Sequence, residues 1–118
     1  MSSVDLKAKS RLWIIGQNGT FLGEGRIALL HAIKKHGSIS KAAISMNMSY
    51  LKAWKLVKSM NIESEQPLVI KISGGKGGGG TTLTEEGMKA IALYESLNIK
   101  CKLFLDQELK NYLRKRND

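Results

Sequence analysis

The stretch GSISKAAISMNMSYLKAWKLVKSMN, residues 37–61, decides the fold. Ser38 or Ser40 can cap a short helix that runs through Met46, because a serine hydroxyl accepts a hydrogen bond from a free amide of the first turn. Asn and Met form the turn that follows, and Ser49 can cap a second helix. Alanines in the first helix let the two helices cross closely. The stretch therefore predicts a helix-turn-helix.

The second of these helices, predicted from Tyr50 to about Asn61, is amphipathic when successive residues are placed about 100° apart. Because Trp54 lies on the apolar side, we expect it in the core, whereas the ring of Tyr50 can be buried while its hydroxyl reaches a phosphate. A lysine face is also common on helices that only meet solvent, so the neighbouring elements must decide its role. The apolar side holds Tyr50, Ala53, Trp54, Leu56, Val57 and Met60, and the other side holds Lys52, Lys55, Lys58 and Ser59 with Leu51 between the lysines.

The remaining elements complete a winged helix-turn-helix within one domain, residues 1–118. A strand is predicted at Leu6–Ile15 and a short return strand at Phe21–Leu22, followed by a helix at Arg26–His36. Two further strands, a glycine loop between them and a long helix at 84–116, capped by Thr84, close the chain. The predicted class is mostly α with a small β component. The two further strands are Leu68–Ile72 and Thr81–Leu83.

The glycine loop, residues 74–80, holds six of the chain's 12 glycines. A phosphate-binding loop requires a lysine followed by Ser or Thr, but Lys76 is followed by Gly77. A wing tip explains the loop better, because glycines let the backbone approach DNA closely and Lys76 supplies charge. We expect Gly75–Gly79 to be mobile when no DNA is bound.

The charge distribution favours a polyanionic partner. The net charge is +9, and Ser38–Thr84 contains six lysines against two acidic residues.

Cys101 is the only cysteine, which excludes a disulfide framework within one chain and a Cys-rich zinc site. No apolar run is long enough to span a membrane and no signal peptide is visible, so we expect a cytoplasmic protein. His31 and His36 form neither a metal pair nor a catalytic constellation, so we expect no enzyme and no cofactor.

The residues predicted to contact double-stranded DNA divide into two roles. Side chains at the start of a recognition helix point deepest into the major groove, where Leu51 could contact a thymine methyl and Lys52 a guanine. Lysines elsewhere neutralise phosphates and give affinity without sequence information. The full predicted set is Ser40, Lys41, Ser49, Tyr50, Leu51, Lys52, Lys55, Lys58, Ser59, Lys71, Lys76 and Gly77.

The long last helix carries more apolar positions than one small domain needs, and an exposed set of this size would be a sticky patch. We therefore predict a two-fold homodimer that uses this helix, with recognition helices about one DNA turn, roughly 34 Å, apart. The predicted interface residues are Leu97, Cys101, Phe104, Leu105, Leu109 and Tyr112.

The chain from about Leu12 to Leu97 resembles the N-terminal domain of ModE-type molybdate-responsive transcriptional regulators. The resemblance implies a dimeric winged helix-turn-helix that binds a palindromic operator, with genes for molybdate uptake or molybdenum enzymes as targets. Full-length members carry C-terminal molybdate-binding modules, whereas this sequence ends at Asp118. It is therefore either a stand-alone member, which the helical character of Tyr112–Asp118 slightly favours, or a fragment, and no molybdate site is identifiable in it. The resemblance is carried by GSISKAA (37–43), MSY (48–50), AW (53–54), MN (60–61), PLV (67–69), GGKGGGG (74–80) and LTEEG (83–87).

Two other functions are compatible with the same sequence. One is a winged-helix module that binds another protein, and the other is a nonspecific nucleoid-type DNA binder. Salt dependence separates them, because a nonspecific binder loses nearly all affinity at high salt and prefers no site.

Overall fold

The computed structural model describes residues 5–73 and 80–117. Two small antiparallel sheets, β1–β2 and β3–β4, accompany four helices, of which α2 and α3 form the helix-turn-helix. The predicted class, mostly α with a small wing, is confirmed. The elements are β1 (Ile14–Ile15), β2 (Thr20–Leu22), α1 (Glu24–His36), α2 (Ile39–Ser45), α3 (Tyr50–Glu63), β3 (Val69–Ile72), β4 (Gly80–Leu83) and α4 (Glu85–Asn117).

Hydroxyl caps start three of the four helices, as local sequence predicted. The Ser38 hydroxyl accepts from the Lys41 amide at 3.0 Å, and the Ser49 hydroxyl accepts from the Lys52 amide at 3.1 Å. Thr84 does the same for α4, accepting from the Gly87 amide at 3.0 Å. Such caps satisfy amides that have no partner inside the helix, so these short polar residues fix where the helices begin.

The N-terminal strand prediction is wrong in extent. Of the predicted Leu6–Ile15, only Ile14–Ile15 pairs with β2, and the register shifts between these two residues. The preceding segment instead lies beside α4, where the Tyr94 hydroxyl donates to the Leu12 carbonyl at 3.0 Å. Because β2 has only three residues, the partner strand is too short to pair with a longer β1.

The core lies where α1, α2, α3 and the wing meet the first turns of α4. Its large fully buried side chains come from β2, α1, α3 and the residue that precedes β3, and the buried alanines of α2 pack beside them, so the helix-turn-helix and the wing form one packed unit. From α4, only Ala90, Ile91 and Tyr94 join this core as buried hydrophobic residues. The largest buried side chains are Leu22, Leu29, Leu30, Ile33, Met60 and Leu68.

The wing is fixed to the helices by backbone contacts at glycine and by one amide side chain. Gly37 takes a left-handed conformation (φ 74°) after α1, and its carbonyl accepts from the Thr81 amide at 2.9 Å. A Cβ at Gly80 would lie 2.5 Å from that carbonyl, so only glycine permits this approach. The Asn61 side chain accepts from the Leu68 amide at 2.9 Å and donates to the β3 strand, which joins the end of α3 to the wing.

Helix α4 extends far beyond the core. Its 33 residues span about 50 Å at 1.5 Å per residue, and the longest dimension of the molecule is 69 Å against 28 and 21 Å for the others. One side-chain contact, His31 Nε2 to Glu95 Oε2 at 3.0 Å, also links α1 to α4. Among the described helices, none is both long and apolar enough to cross a membrane.

Candidate nucleic-acid interface

The outer face of α3 is exposed, rigidly supported and rich in lysine. The helix packs inward through the narrow stripe of Ala53, Val57 and Met60. Leu51, near its start, is 57% exposed, and Lys52, Lys55 and Lys58 are all exposed. Exposed residues at the start of such a helix are those that enter a major groove.

The prediction that Trp54 lies in the core is wrong. Its side chain is 37% exposed, and the Lys58 Nζ stands 5.1 Å from the centroid of its ring, within cation–π distance. Helical periodicity assigned Trp54 to the inner side correctly, but the packed stripe is narrower than that side and leaves this edge uncovered. Tyr50, whose placement the sequence left open, is 53% exposed.

An apolar groove of about 380 Å³ separates α3 from β3 on this side. Trp54 and Ile62 line its α3 wall, and Ile70 lines its β3 wall. Sequence reasoning missed Ile62, because the helix was expected to end near Asn61 but continues to Glu63. Ile62 lies four residues after Lys58, one helical turn further along the same side of the helix. Its position beside the lysines could therefore be derived from the sequence.

The acidic residue of α3 is directed away from the lysine face. Glu63 accepts hydrogen bonds from the Asn18 backbone amide at 2.9 and 3.0 Å, and from the Asn18 side chain at 3.3 Å. These bonds hold its carboxylate against the β1–β2 turn. The lysines of α3 therefore present their charge to the outside without a neutralising acid from their own helix.

The structure brings several predicted contact residues together from three elements. Ser40 of α2, Tyr50 of α3 and Lys71 of β3 line one shallow cleft. Lys41 is exposed at the start of α2. Ser49 is exposed at the start of α3, and its hydroxyl accepts the cap bond from the Lys52 amide.

Two predicted wing residues, Lys76 and Gly77, lie outside the described residues, as does the segment Gly75–Gly79 whose mobility the sequence predicted. Ser59 is half-buried, and its hydroxyl accepts from Arg26 Nη2 at 3.4 Å. Burial lowers the pKa of Arg26, a residue that sequence reasoning did not assign to any site. A lone arginine near the start of a helix gives no local signal that it reaches a second helix 33 residues away.

The predicted dimer residues are uncovered on the distal part of α4. Leu97 is 40% exposed, Phe104 is 63% exposed and Tyr112 is 54% exposed. Cys101, Leu105 and Leu109 are partly exposed. Within the described part of the chain, none of these six residues is buried.

Comparisons with known proteins agree with this geometry. Residues 25–88 match the family of bacterial regulatory helix-turn-helix proteins of the LysR type. A crystal structure of a LysR family transcriptional regulator superimposes with a TM-score of 0.51 at 18% identity, covering 70% of this chain and 27% of that one. This structural likeness supports the winged-helix fold.

The chain is also similar in sequence to proteins named ModE. The chain is 43% identical over 89 residues to the molybdenum transport protein ModE of Azotobacter vinelandii, covering 75% of this chain and 33% of that protein. It is 41% identical over 92 residues to the DNA-binding transcriptional dual regulator ModE of Escherichia coli (strain K12), covering 78% of this chain and 35% of that protein. The chain thus spans about a third of the length of the curated relatives it matches.

These findings confirm the resemblance to the N-terminal part of ModE-type regulators. The relatives are named as regulators, and the matching family consists of DNA-binding proteins rather than enzymes. The match to residues 25–88 covers the helix-turn-helix and both wing strands. By its sequence and its fold, the chain belongs to the LysR-type family of bacterial regulatory helix-turn-helix proteins.

Proposed function

We propose that two copies of this chain dimerise through α4 and bind a palindromic operator in double-stranded DNA with their two α3 helices. The observation that carries the DNA part of the proposal is the exposed outer face of α3. Leu51 stands among Lys52, Lys55 and Lys58, and Glu63 is bonded elsewhere. Lysines of this kind bind phosphates, while an exposed leucine at the helix start suits a thymine methyl.

A second copy is the partner that best fits the distal part of α4. Ala90 and Tyr94 pack against the core, and the same side of the helix continues through Leu97, Cys101 and Leu105 at intervals of three or four residues. A two-fold dimer pairs one surface with itself, so each copy would cover the other's stripe. The two α3 helices would then meet half-sites about 34 Å apart.

The genes under control are proposed from the relatives. Two of these are named as molybdenum transport protein ModE and transcriptional regulator ModE, and we propose that this protein acts in the cytoplasm on genes for molybdate uptake or molybdenum enzymes. The chain covers about a third of the first of those relatives, and the proposal includes no molybdate site and no cofactor.

The decisive experiment is fluorescence anisotropy at about 150 mM salt with a selected palindromic site and a scrambled one. We expect a preference of roughly a thousandfold for the selected site. Equal and salt-sensitive binding to both would instead indicate a nonspecific nucleoid-type binder, and binding to neither would favour a protein-interaction module. Molybdate added to the same sample tests direct sensing.

A pair of variants separates base reading from phosphate binding on α3. Leu51→Ala should weaken binding to the selected site by about tenfold, the order of one mismatched base pair, and leave the scrambled site unchanged. Lys55→Gln should weaken both sites and reduce the slope of log K against log salt by about 1. The assignment of Leu51 to base reading fails if Leu51→Ala weakens both sites equally.

A further inference from the structure

A second cleft, the flank cleft, lies on the side of α3 opposite the apolar groove. It has a volume of about 500 Å³. Lys52 at its edge and Trp54 in the groove are about 160° apart around the helix. Three elements form the cleft, namely the N-terminal segment with Arg11 and Trp13, the start of α1 with Gly23–Arg26, and the first half of α3.

Positive charge dominates the flank cleft. Arg11, Arg26 and Lys52 line it, against Glu24 as the acid among its lining residues. Arg11 and Lys52 are exposed, whereas Arg26 is half-buried. Three cations around one concave surface raise the local concentration of anions, because the low-dielectric walls focus their field.

Arg26 is held in this cleft with donor capacity to spare. Its Nη2 donates to the Ser59 hydroxyl, while its Nε is buried and has no hydrogen-bond partner among the described residues. Because the buried Nε is closed to a ligand, an anion in the cleft would bond the terminal N–H groups of the guanidinium, and an anionic oxygen is the acceptor that matches an arginine. Ser59 therefore acts as a positioning residue for Arg26.

The position of the cleft identifies the anion. Lys52 belongs both to the cleft and to the exposed lysines of α3, so a duplex that receives α3 in its major groove carries one strand past the cleft. We propose that the flank cleft receives a DNA phosphate of that strand, bound by Arg11, Arg26 and Lys52. The wing lies on the other side of α3. A phosphate contact at the flank cleft and a DNA contact from the wing would therefore hold the two strands that border one major groove. This inference rests on the proposed DNA-binding function.

The test measures salt dependence, because each phosphate contact contributes about 0.9 to the slope of log K against log salt. Wild type is compared with Arg11→Gln and with the matched control Arg114→Gln, an exposed arginine of distal α4. Arg11→Gln should bind selected and scrambled DNA more weakly by the same factor and lower the slope by about 1. Arg11→Lys should restore the slope, and Arg114→Gln should match wild type.

Glu24 supplies a variant of opposite sign. Glu24→Gln removes the carboxylate from the cleft, so it should tighten binding to both DNAs. Thermal melting of each variant verifies folding. Because the Arg11 and Glu24 side chains are exposed, we expect neither substitution to unfold the protein. Wild-type binding with an unchanged slope in Arg11→Gln would overturn the cleft assignment alone, whereas a wild type that binds neither DNA would overturn it together with the proposed function.

Discussion

Helix α3 and the distal part of α4 both expose large apolar side chains, but they are held in opposite ways. Bonds at both ends fix α3, through the Ser49 cap at its start and through Asn61 and Glu63 at its end. Its exposed apolar residues alternate with lysines. Distal α4 projects from the core beyond Tyr94, and its apolar stripe continues the one that packs inside the domain.

The difference indicates two different partners. A fixed surface that mixes apolar and cationic side chains suits a rigid polyanion, since no ordering of the surface is needed on binding. A projecting apolar stripe suits a surface of the same kind, because burial of apolar area is what stabilises it. This contrast fits the proposal that one helix contacts DNA and that the other binds the second copy, which sets the spacing of that contact.

The largest effect on DNA binding is expected from a charge placed in the apolar stripe of distal α4. Leu105→Asp places a charge in the proposed dimer interface, so the protein should become monomeric and lose at least about 100-fold in operator affinity, because two linked half-sites bind far more tightly than one. Sedimentation equilibrium and anisotropy measure the two effects. Gln107→Asp, two residues away on the other side of α4, introduces the same charge and should leave both unchanged. A dimer that survives Leu105→Asp would remove α4 from the interface.

The next effect concerns how α3 and the wing are held. Asn61→Ala removes the amide that bonds Leu68 and Val69 of the chain entering the wing, leaving half-buried backbone groups without partners. We expect a loss of about 2 kcal/mol in the free energy of unfolding. Urea denaturation measures it. Gln66→Ala, which removes an exposed amide side chain in the loop after the same helix, is the control, and an equal loss there would show that Asn61 has no special role.

Local chemistry explains which parts of the fold the sequence predicts. A serine or threonine cap acts within three residues, so Ser49 and Thr84 could be assigned correctly without a structure. The cap of α2 could be narrowed to Ser38 or Ser40, of which the structure selects Ser38. The excess of apolar residues in α4 is also visible locally. Whether Leu6–Ile15 becomes a strand depends on the length of β2, which the segment itself does not encode.

The parts of the candidate site that sequence reasoning missed depend on contacts between distant segments. Periodicity places Trp54 on the inner side of α3, but how far β3 covers that side is a property of the packed wing. The flank cleft likewise needs Arg11, Arg26 and Lys52 from three elements. Residues that gain their role only by meeting across the fold leave no pattern in any one element.

The smallest effect tests the docked part of α4, where Tyr94 bonds the N-terminal segment. Tyr94→Phe removes the hydrogen bond to the Leu12 carbonyl and should lower the free energy of unfolding by about 1 kcal/mol near neutral pH. Burial, and secondarily the charge of Glu24, raises the pKa of Tyr94 above its ordinary value of 10.0. The folded state therefore holds this proton more tightly than the unfolded state, and the contribution is complete below pH 10 and is lost as the pH rises towards the folded pKa.

The difference in stability between wild type and Tyr94→Phe should accordingly stay constant from pH 6 to 9 and shrink above pH 10, as followed by urea denaturation across that range. The pH dependence of the difference isolates Tyr94, because every other titrating group is present in both proteins. A difference that does not change above pH 10 would mean that the hydrogen bond donated to Leu12 is not what stabilises the docked segment. The docked part of α4 would then rely on the His31–Glu95 contact and on its apolar contacts, which are of the same kind as those that we propose join the distal part to its second copy.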